Sequence, residues 1–226
     1  LAAVFGRRRE RFPLASPYNQ MCDDEWNVPV GLVASCGGDA MFRMEALRPA
    51  GGYCDDLIAG EEPDLCLRLG RQGWRIRRID QEMTWHDAAI TSFRGWWLRA
   101  RRSGFAYAEH VRRHGRQSIP GWLRQLASII VWTCILPAIL LVIALLLCVL
   151  GYSALYAVAL AAGIYLGQIF RIAFQKRKQG SNGRFALQYA TMIVLGKFAE
   201  CGGVFRCYLT RILQRRAKII EYKGAA

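Results

Sequence analysis

The sequence predicts an α/β domain, then a hydrophobic α-helical hairpin, then an interfacial or third membrane helix. Three observations predict this. Over residues 1–127, short apolar runs punctuated by Gly and Pro alternate with a charged, helix-like segment. Residues 128–150 then give 23 consecutive positions without a charge, and 152–170 give another 19. Both outer flanks of these runs are basic, while the turn between them carries no charge.

Composition narrows the function classes. The 226 residues are 53% apolar and carry a net charge of +14, from 31 Lys and Arg against 17 Asp and Glu. Such an excess suits nucleic acid, anionic lipid, or the basic bias of cytosolic membrane flanks. Arg112, Arg113, Arg116 and Arg124 precede the first apolar run, and Lys176, Arg177 and Lys178 follow the second. That placement points to a membrane. No nucleic-acid module is visible, so no nucleic-acid partner is expected. The eight cysteines form no Cys-x-x-Cys pair and read as small buried hydrophobes of a reducing compartment. The chain opens on Leu1 with an arginine run at 7–9, which suits no signal peptide. It is expected to be the C-terminal part of a longer product.

Along the chain, residues 1–27 read as loop, broken by Pro13, Pro17 and Asp23-Asp24-Glu25. Val30–Cys36 reads as a buried strand ended by Gly37-Gly38, and Met41–Leu47 as helical. Glu61–Gln72 is the clearest helix, with acids in its first turn, Leu65 and Leu69 on one face, and Gly73 as its stop. Trp74–Ile79 alternates as a strand does, Met83–His86 is a second short strand or turn, and Ala89–His110 is a long helix. At about 1.5 Å per residue, the run from Ser128 to Leu150 matches a hydrocarbon core of about 30 Å. A connection at Gly151 forces Tyr152–Phe170 back as the second arm of a hairpin, both flanks cytosolic and the tip outside. Phe185–Leu209 mixes apolar residues with Lys197, Glu200 and Arg206, as an interfacial helix does. The expected organisation is a soluble part over 1–114, a basic linker over 115–127, two membrane helices over 128–172, and a basic loop, amphipathic helix and basic tail over 173–226.

The chemistry is concentrated between Gly37 and His110. The text reads Gly-Gly-Asp-Ala-Met-Phe-Arg at 37–43, Gly51-Gly52-Tyr53, Gly60-Glu61-Glu62-Pro63-Asp64-Leu65 with Arg68, Gly73-Trp74, His86-Asp87, and Trp96-Trp97-Leu98-Arg99. By themselves, the three acids are what a helix N-terminus favours, with Asp64 and Arg68 as an i,i+4 pair. Asp39 suits an Asx turn, His86 a structural hydrogen bond, and the tryptophans ordinary packing or interfacial anchoring. His110 and His114 share a helix face, but Arg112 and Arg113 lie between them, against a cation site.

In this order the motifs resemble the second half of the catalytic domain in family-2 inverting glycosyltransferases. The resemblance covers about residues 30–110. It implies the C-terminal portion of a GT-A (nucleotide-diphospho-sugar transferase) domain. It implies Glu62 as general base, with Glu61 and Asp64 beside it in the catalytic helix start. It further implies Asp39, Trp85, Trp96 and Arg99 as substrate-binding, and His86 as a ligand for a divalent cation, Mg or Mn. The partners implied are a nucleotide sugar donor, a glycan or lipid-linked acceptor, and the membrane, with the catalytic domain on its cytosolic face. Two departures qualify it. There is no Gln-x-x-Arg-Trp after the base, so a cellulose- or hyaluronan-type polymerase is not expected. There is also no Asp-x-Asp, the family's metal motif in its donor-binding half. A non-catalytic membrane anchor or assembly subunit with a degenerate transferase-like surface is the alternative, and the segment by itself is expected to transfer no sugar.

Overall fold

A computed structural model describes residues 1–119 and 121–214. Four strands form a mixed sheet in the order β2-β4-β1-β3: β1 (Ala3–Glu10), β2 (Gly31–Val33), β3 (Met41–Phe42) and β4 (Ile76–His86). The central pair, β1 and β4, is parallel, and both outer strands are antiparallel to their neighbours. Helix α1 (Pro17–Glu25) follows β1, the short α2 (Met44–Leu47) follows β3, and α3 (Glu61–Arg71) leads into β4. The long α4 (Phe93–His114) then carries the chain away from the sheet.

Residues 1–27, expected as loop, are corrected here to strand β1 and helix α1. The arginine run forms the second half of a strand because distant acids neutralise it. Arg7 meets Asp23 at 3.3 Å, Arg8 pairs with Asp39, and Arg9 with Glu82. Helix α1 starts on a capped turn, where the Ser16 hydroxyl accepts from the Asn19 N–H and Pro17 fills the first helical turn. Val30–Cys36 shortens to Gly31–Val33, and Met41–Leu47 divides into β3 and α2. Trp74–Ile79 and Met83–His86 prove to be one strand, β4, paired along its length with β1. Next to the bulge in that pairing lies Gly6, where an added Cβ would sit 2.4 Å from the Gln81 carbonyl oxygen.

Beyond α4, helix α5 (Trp122–Ile130), a π-helical turn (Val131–Ile135) and α6 (Leu136–Val149) run on as a single rod. Part of the expected basic linker is therefore helical. The π turn stands just ahead of Pro137, whose ring would clash with the carbonyl one turn back in a regular α-helix. Helix α7 (Leu155–Lys178) packs back against α6, and the Tyr165 hydroxyl donates to the Trp132 carbonyl at 2.6 Å. Trp122–Val149 and Leu155–Lys178 are each long and apolar enough to cross a membrane. Helix α7 runs to Lys178, beyond the expected end at Phe170, and takes up part of the expected loop.

Helix α8 (Gly183–Ile212) is capped by Asn182, whose side-chain oxygen accepts from the Phe185 N–H at 2.8 Å. It lies along α4, and at two glycines the backbones touch. A Cβ at Gly104 would stand 2.0 Å from the Glu200 carbonyl oxygen, and one at Gly203 1.9 Å from that of Arg101. Phe105, Ala108, Leu126, Ile129, Val204 and Cys207 fill the crossing, so α8 is seated on α4 and α5 along this face. Burying Phe105 alone contributes about 2–3 kcal/mol. Beneath the end of α4, buried Glu109 accepts from Arg112, Arg113 and Arg211. Burial pushes its carboxyl up, but those guanidiniums prevail and bring it down to about 2. The basic tail expected at 215–226 lies outside the described residues.

Candidate functional site

The site begins with the start of α3. Gly60 is its N-cap at φ 84, a left-handed conformation that glycine adopts without strain. An added Cβ there would meet Ala106 and Trp122 at 3.4 Å, so this turn abuts both α4 and α5. Glu61, Glu62 and Asp64 follow in the first turn, where the helix dipole favours negative charge.

The three acids have different surroundings. Glu62 is half-buried and faces the glycine turn, where a Cβ on Gly38 would lie 3.1 Å from its Oε1. Burial, with help from Glu61, raises its carboxyl above the usual range, while Arg8 and Arg102 pull the other way. Glu61 lies 3.8 Å from Arg102, and its Oε2 is buried without a partner. Asp64 is buried in the opposite direction. Its Oδ2 accepts from Arg68 Nε at 2.8 Å, and its Oδ1 lies 2.7 Å from His114 Nε2. Burial raises its pKa, but the bonds from His114 and Arg68 outweigh this, and it ends lowered. Both Asp64 oxygens are thus engaged, one within α3 through Arg68 and the other fastening α3 to the end of α4 through His114.

Beside the glycine turn opens a cleft of about 200 Å³, lined by Arg8, Glu25, Trp26, Cys36, Gly37 and Asp39 among others. Trp26 is its hub. The Arg8 guanidinium lies over one ring at 5.3 Å, and the His86 imidazole meets it edge-on at 5.3 Å. Asp39 is paired with Arg8. His86 ends β4 opposite Glu10 of β1, and the chain leaving it is strapped down. Buried Glu10 accepts from the Ala88 N–H at 2.9 Å, and Asn19 accepts from the Ile90 N–H at 3.0 Å. Between them, Ala89 holds φ 52, a strained conformation for a residue with a Cβ. Cys36 and Cys66 lie 3.6 Å apart in the core below the turn.

The structure thus brings Glu62, Asp39 and His86 toward one region, together with Arg8, Trp26 and Arg102. It places the remaining candidates elsewhere. Trp85 is 61% exposed, and the strand alternation turns it away from its neighbour His86. Trp96 is buried with Cys22, Ala88 and Ile90, stacked on Tyr18 at 5.9 Å. Arg99 donates to both carboxylate oxygens of Glu25, at 3.0 and 2.9 Å.

Among the described residues, one group of three potential metal ligands converges, and it lies away from His86: Asp64, His110 and His114, with ligand atoms within 4.8 Å of one another. With two imidazole nitrogens it suits Mg poorly, since that ion takes oxygen ligands. His110 Nε2 already accepts from the Ile119 N–H at 3.3 Å, both Asp64 oxygens are engaged, and Arg68, Arg112 and Arg113 line the adjoining cavity. His86 by itself supplies a single nitrogen.

No curated protein and no solved structure matches the chain. A family model described as glycosyl transferase family group 2 matches residues 26–166. That stretch starts at Trp26 in the cleft, takes in Gly37-Gly38, Glu62 and His86, and continues through the first long apolar helix into the second. It covers more than half of the 226 residues, and the chain belongs to glycosyltransferase family 2.

Proposed function

We propose that this protein is a membrane-anchored inverting transferase in which Glu62 is the general base. The observation that carries the reading is the Glu62 carboxylate. It sits at a helix start against Gly38, with its pKa raised by burial, next to the cleft that holds Arg8, Asp39 and Trp26. A raised pKa makes a carboxylate a stronger proton acceptor near neutral pH. The acceptor hydroxyl gives its proton to Glu62 as its oxygen bonds to the anomeric carbon. The bond from that carbon to the nucleoside diphosphate breaks on the opposite face, so configuration inverts. Arg8, at the cleft wall, offsets the charge growing on the leaving diphosphate, and Asp39 is placed to bind a sugar hydroxyl. The family resemblance implies a divalent cation, but among the described residues no group of three metal ligands converges around His86.

Membrane anchoring rests on the two apolar helices. Leu141, Leu145, Val149, Leu155 and Val158 are all more than half exposed, and water would not tolerate such a belt. The basic flanks support a cytosolic position for the sheet, the cleft and the C-terminal helix, the side where nucleotide sugars are found.

The test is Glu62→Gln in the full-length protein, assayed with nucleotide sugars. The expected result is loss of transfer by about two orders of magnitude or more, with donor binding kept. Asp64→Asn should lower stability, with a far smaller effect on turnover. Wild-type turnover by Glu62→Gln would remove the base assignment.

A further inference from the structure

A second cavity, of about 490 Å³, lies where the soluble part meets the apolar helices. Residues of α1, α4, α5, α7 and α8 line it. Ser128 and Arg171 are among them, and these are the two places where the uncharged runs meet their basic flanks. It therefore stands at headgroup depth if the apolar helices cross a bilayer.

Its two ends differ. At one end, Glu25 belongs both to this cavity and to the cleft beside Glu62, and its pair with Arg99, whose Nη2 reaches both carboxylate oxygens, stands between them. At the other end, the wall continues into a small apolar recess that adds Trp132 and Val194 and shares Ser128, Gln168, Ile172 and Lys197 with it. The occupant must be polar toward the cleft and apolar toward the helices. The charges specify its sign. Arg99 is matched by Glu25, and Lys197 by Glu200 at 2.8 Å. Among the described residues, Arg171 donates to the Gln168 amide oxygen at 3.0 Å and no carboxylate pairs with it. Among those residues the cavity thus carries one positive charge at its mouth without a matching carboxylate.

Building on the transferase reading, we propose that this cavity seats the phosphate-bearing headgroup of a lipid acceptor. Arg171 holds the phosphate, the tail runs out along the apolar helices past Trp132 and Val194, and a headgroup hydroxyl is presented past the Glu25–Arg99 pair to Glu62. A free glycan would have no use for the apolar recess, and a free phosphate none for the tail end.

The test uses the full-length protein in phosphatidylcholine nanodiscs doped with phosphatidylglycerol, which carries both a phosphate and free hydroxyls. Retained lipid is read by native mass spectrometry. Wild type should keep phosphatidylglycerol in preference to phosphatidylcholine. Arg171→Gln should lower that preference about tenfold, the loss of one charge-assisted bond. Arg171→Lys should restore most of it, and Ile193→Trp, which fills the recess side, should abolish it. Inorganic phosphate should not compete. Equal retention by wild type and Arg171→Gln overturns the proposal, as does displacement by inorganic phosphate, which marks a simple anion site. Glu62→Gln separates the two readings. If it binds the lipid but does not transfer, both stand. If it transfers normally yet binds, only the base assignment fails. If it abolishes transfer while no lipid is selected in any variant, only the cavity assignment fails.

Discussion

Gly104→Ala gives the most direct test of how the helix after the two apolar helices is seated. In an isolated helix this change stabilises, by about 1 kcal/mol, because Gly is the poorer helix former. Here the new methyl would stand 2.0 Å from the Glu200 carbonyl oxygen, whereas ordinary contact begins near 3.4 Å. The obstacle is backbone, so no rotamer change relieves it, and α4 and α8 must part by about 1.4 Å. That separation loosens the cluster of Phe105, Leu126, Ile129 and Val204. Overpacking costs about 1–3 kcal/mol, and a backbone clash belongs at or above the upper end. After the propensity gain, a net loss of about 2 kcal/mol remains, a fall of roughly 4–8 °C in melting midpoint for a chain of this size. Gly70→Ala is the control. Gly70 lies in α3 with nothing within 4 Å of its would-be Cβ, and the midpoint should rise by a few degrees at most. Both variants are measured by thermal unfolding in the same detergent. If Gly104→Ala rises with the control, the backbone crossing of α4 and α8 is refuted.

Two further outcomes are expected. Burial, aided by His114 and Arg71 and opposed by Asp64, lowers His110 from 6.5 to about 4, so folding keeps this imidazole neutral. Its contribution to stability is complete above pH 6.5 and is lost as pH falls toward about 4, up to roughly 3 kcal/mol. In melts across that window, His110→Gln should flatten the pH dependence, and an unchanged slope would assign it to other groups. For topology, single cysteines at Tyr152 and Ser181 in a cysteine-free background should label oppositely with an impermeant reagent in intact cells. Position 152 should react and 181 should not, and the reverse pattern would move the Glu62 cleft away from cytosolic nucleotide sugars.

What the sequence made legible was whatever is decided locally. The Glu61–Arg71 helix shows its acids, its leucine face and its glycine stop within a dozen residues, and it formed as expected. The strand starting at Trp74 was readable only to Ile79. Beyond that point the alternation fails, since most of Asp80–His86 is polar or exposed, and pairing with β1, some 75 residues earlier, carries the strand on. The same limit hid β1. An arginine run reads as solvated unless its counter-charges are known, and Asp23, Asp39 and Glu82 are far from it in sequence. Glu62, Asp39 and His86 were legible through their motif order, whereas Arg8 and Trp26 come from the stretch read as loop and carry no motif.

That stretch also joins the site to the apolar helices. Asp23-Asp24-Glu25 looked like a helix-breaking acidic patch, yet each acid reaches a different element. Asp23 meets Arg7 of β1, Asp24 accepts from Lys176 of α7 at 2.6 and 2.7 Å, and Glu25 holds Arg99 of α4. Three adjacent charges on one short helix fix three directions at once, and successive helical positions point about 100° apart, which makes this possible. Trp26, the next residue, is the hub on which Arg8 and His86 rest. The acidic triplet thus ties α1 to three separate elements, and its last member, Glu25, is a wall that the cleft beside Glu62 and the junction cavity share.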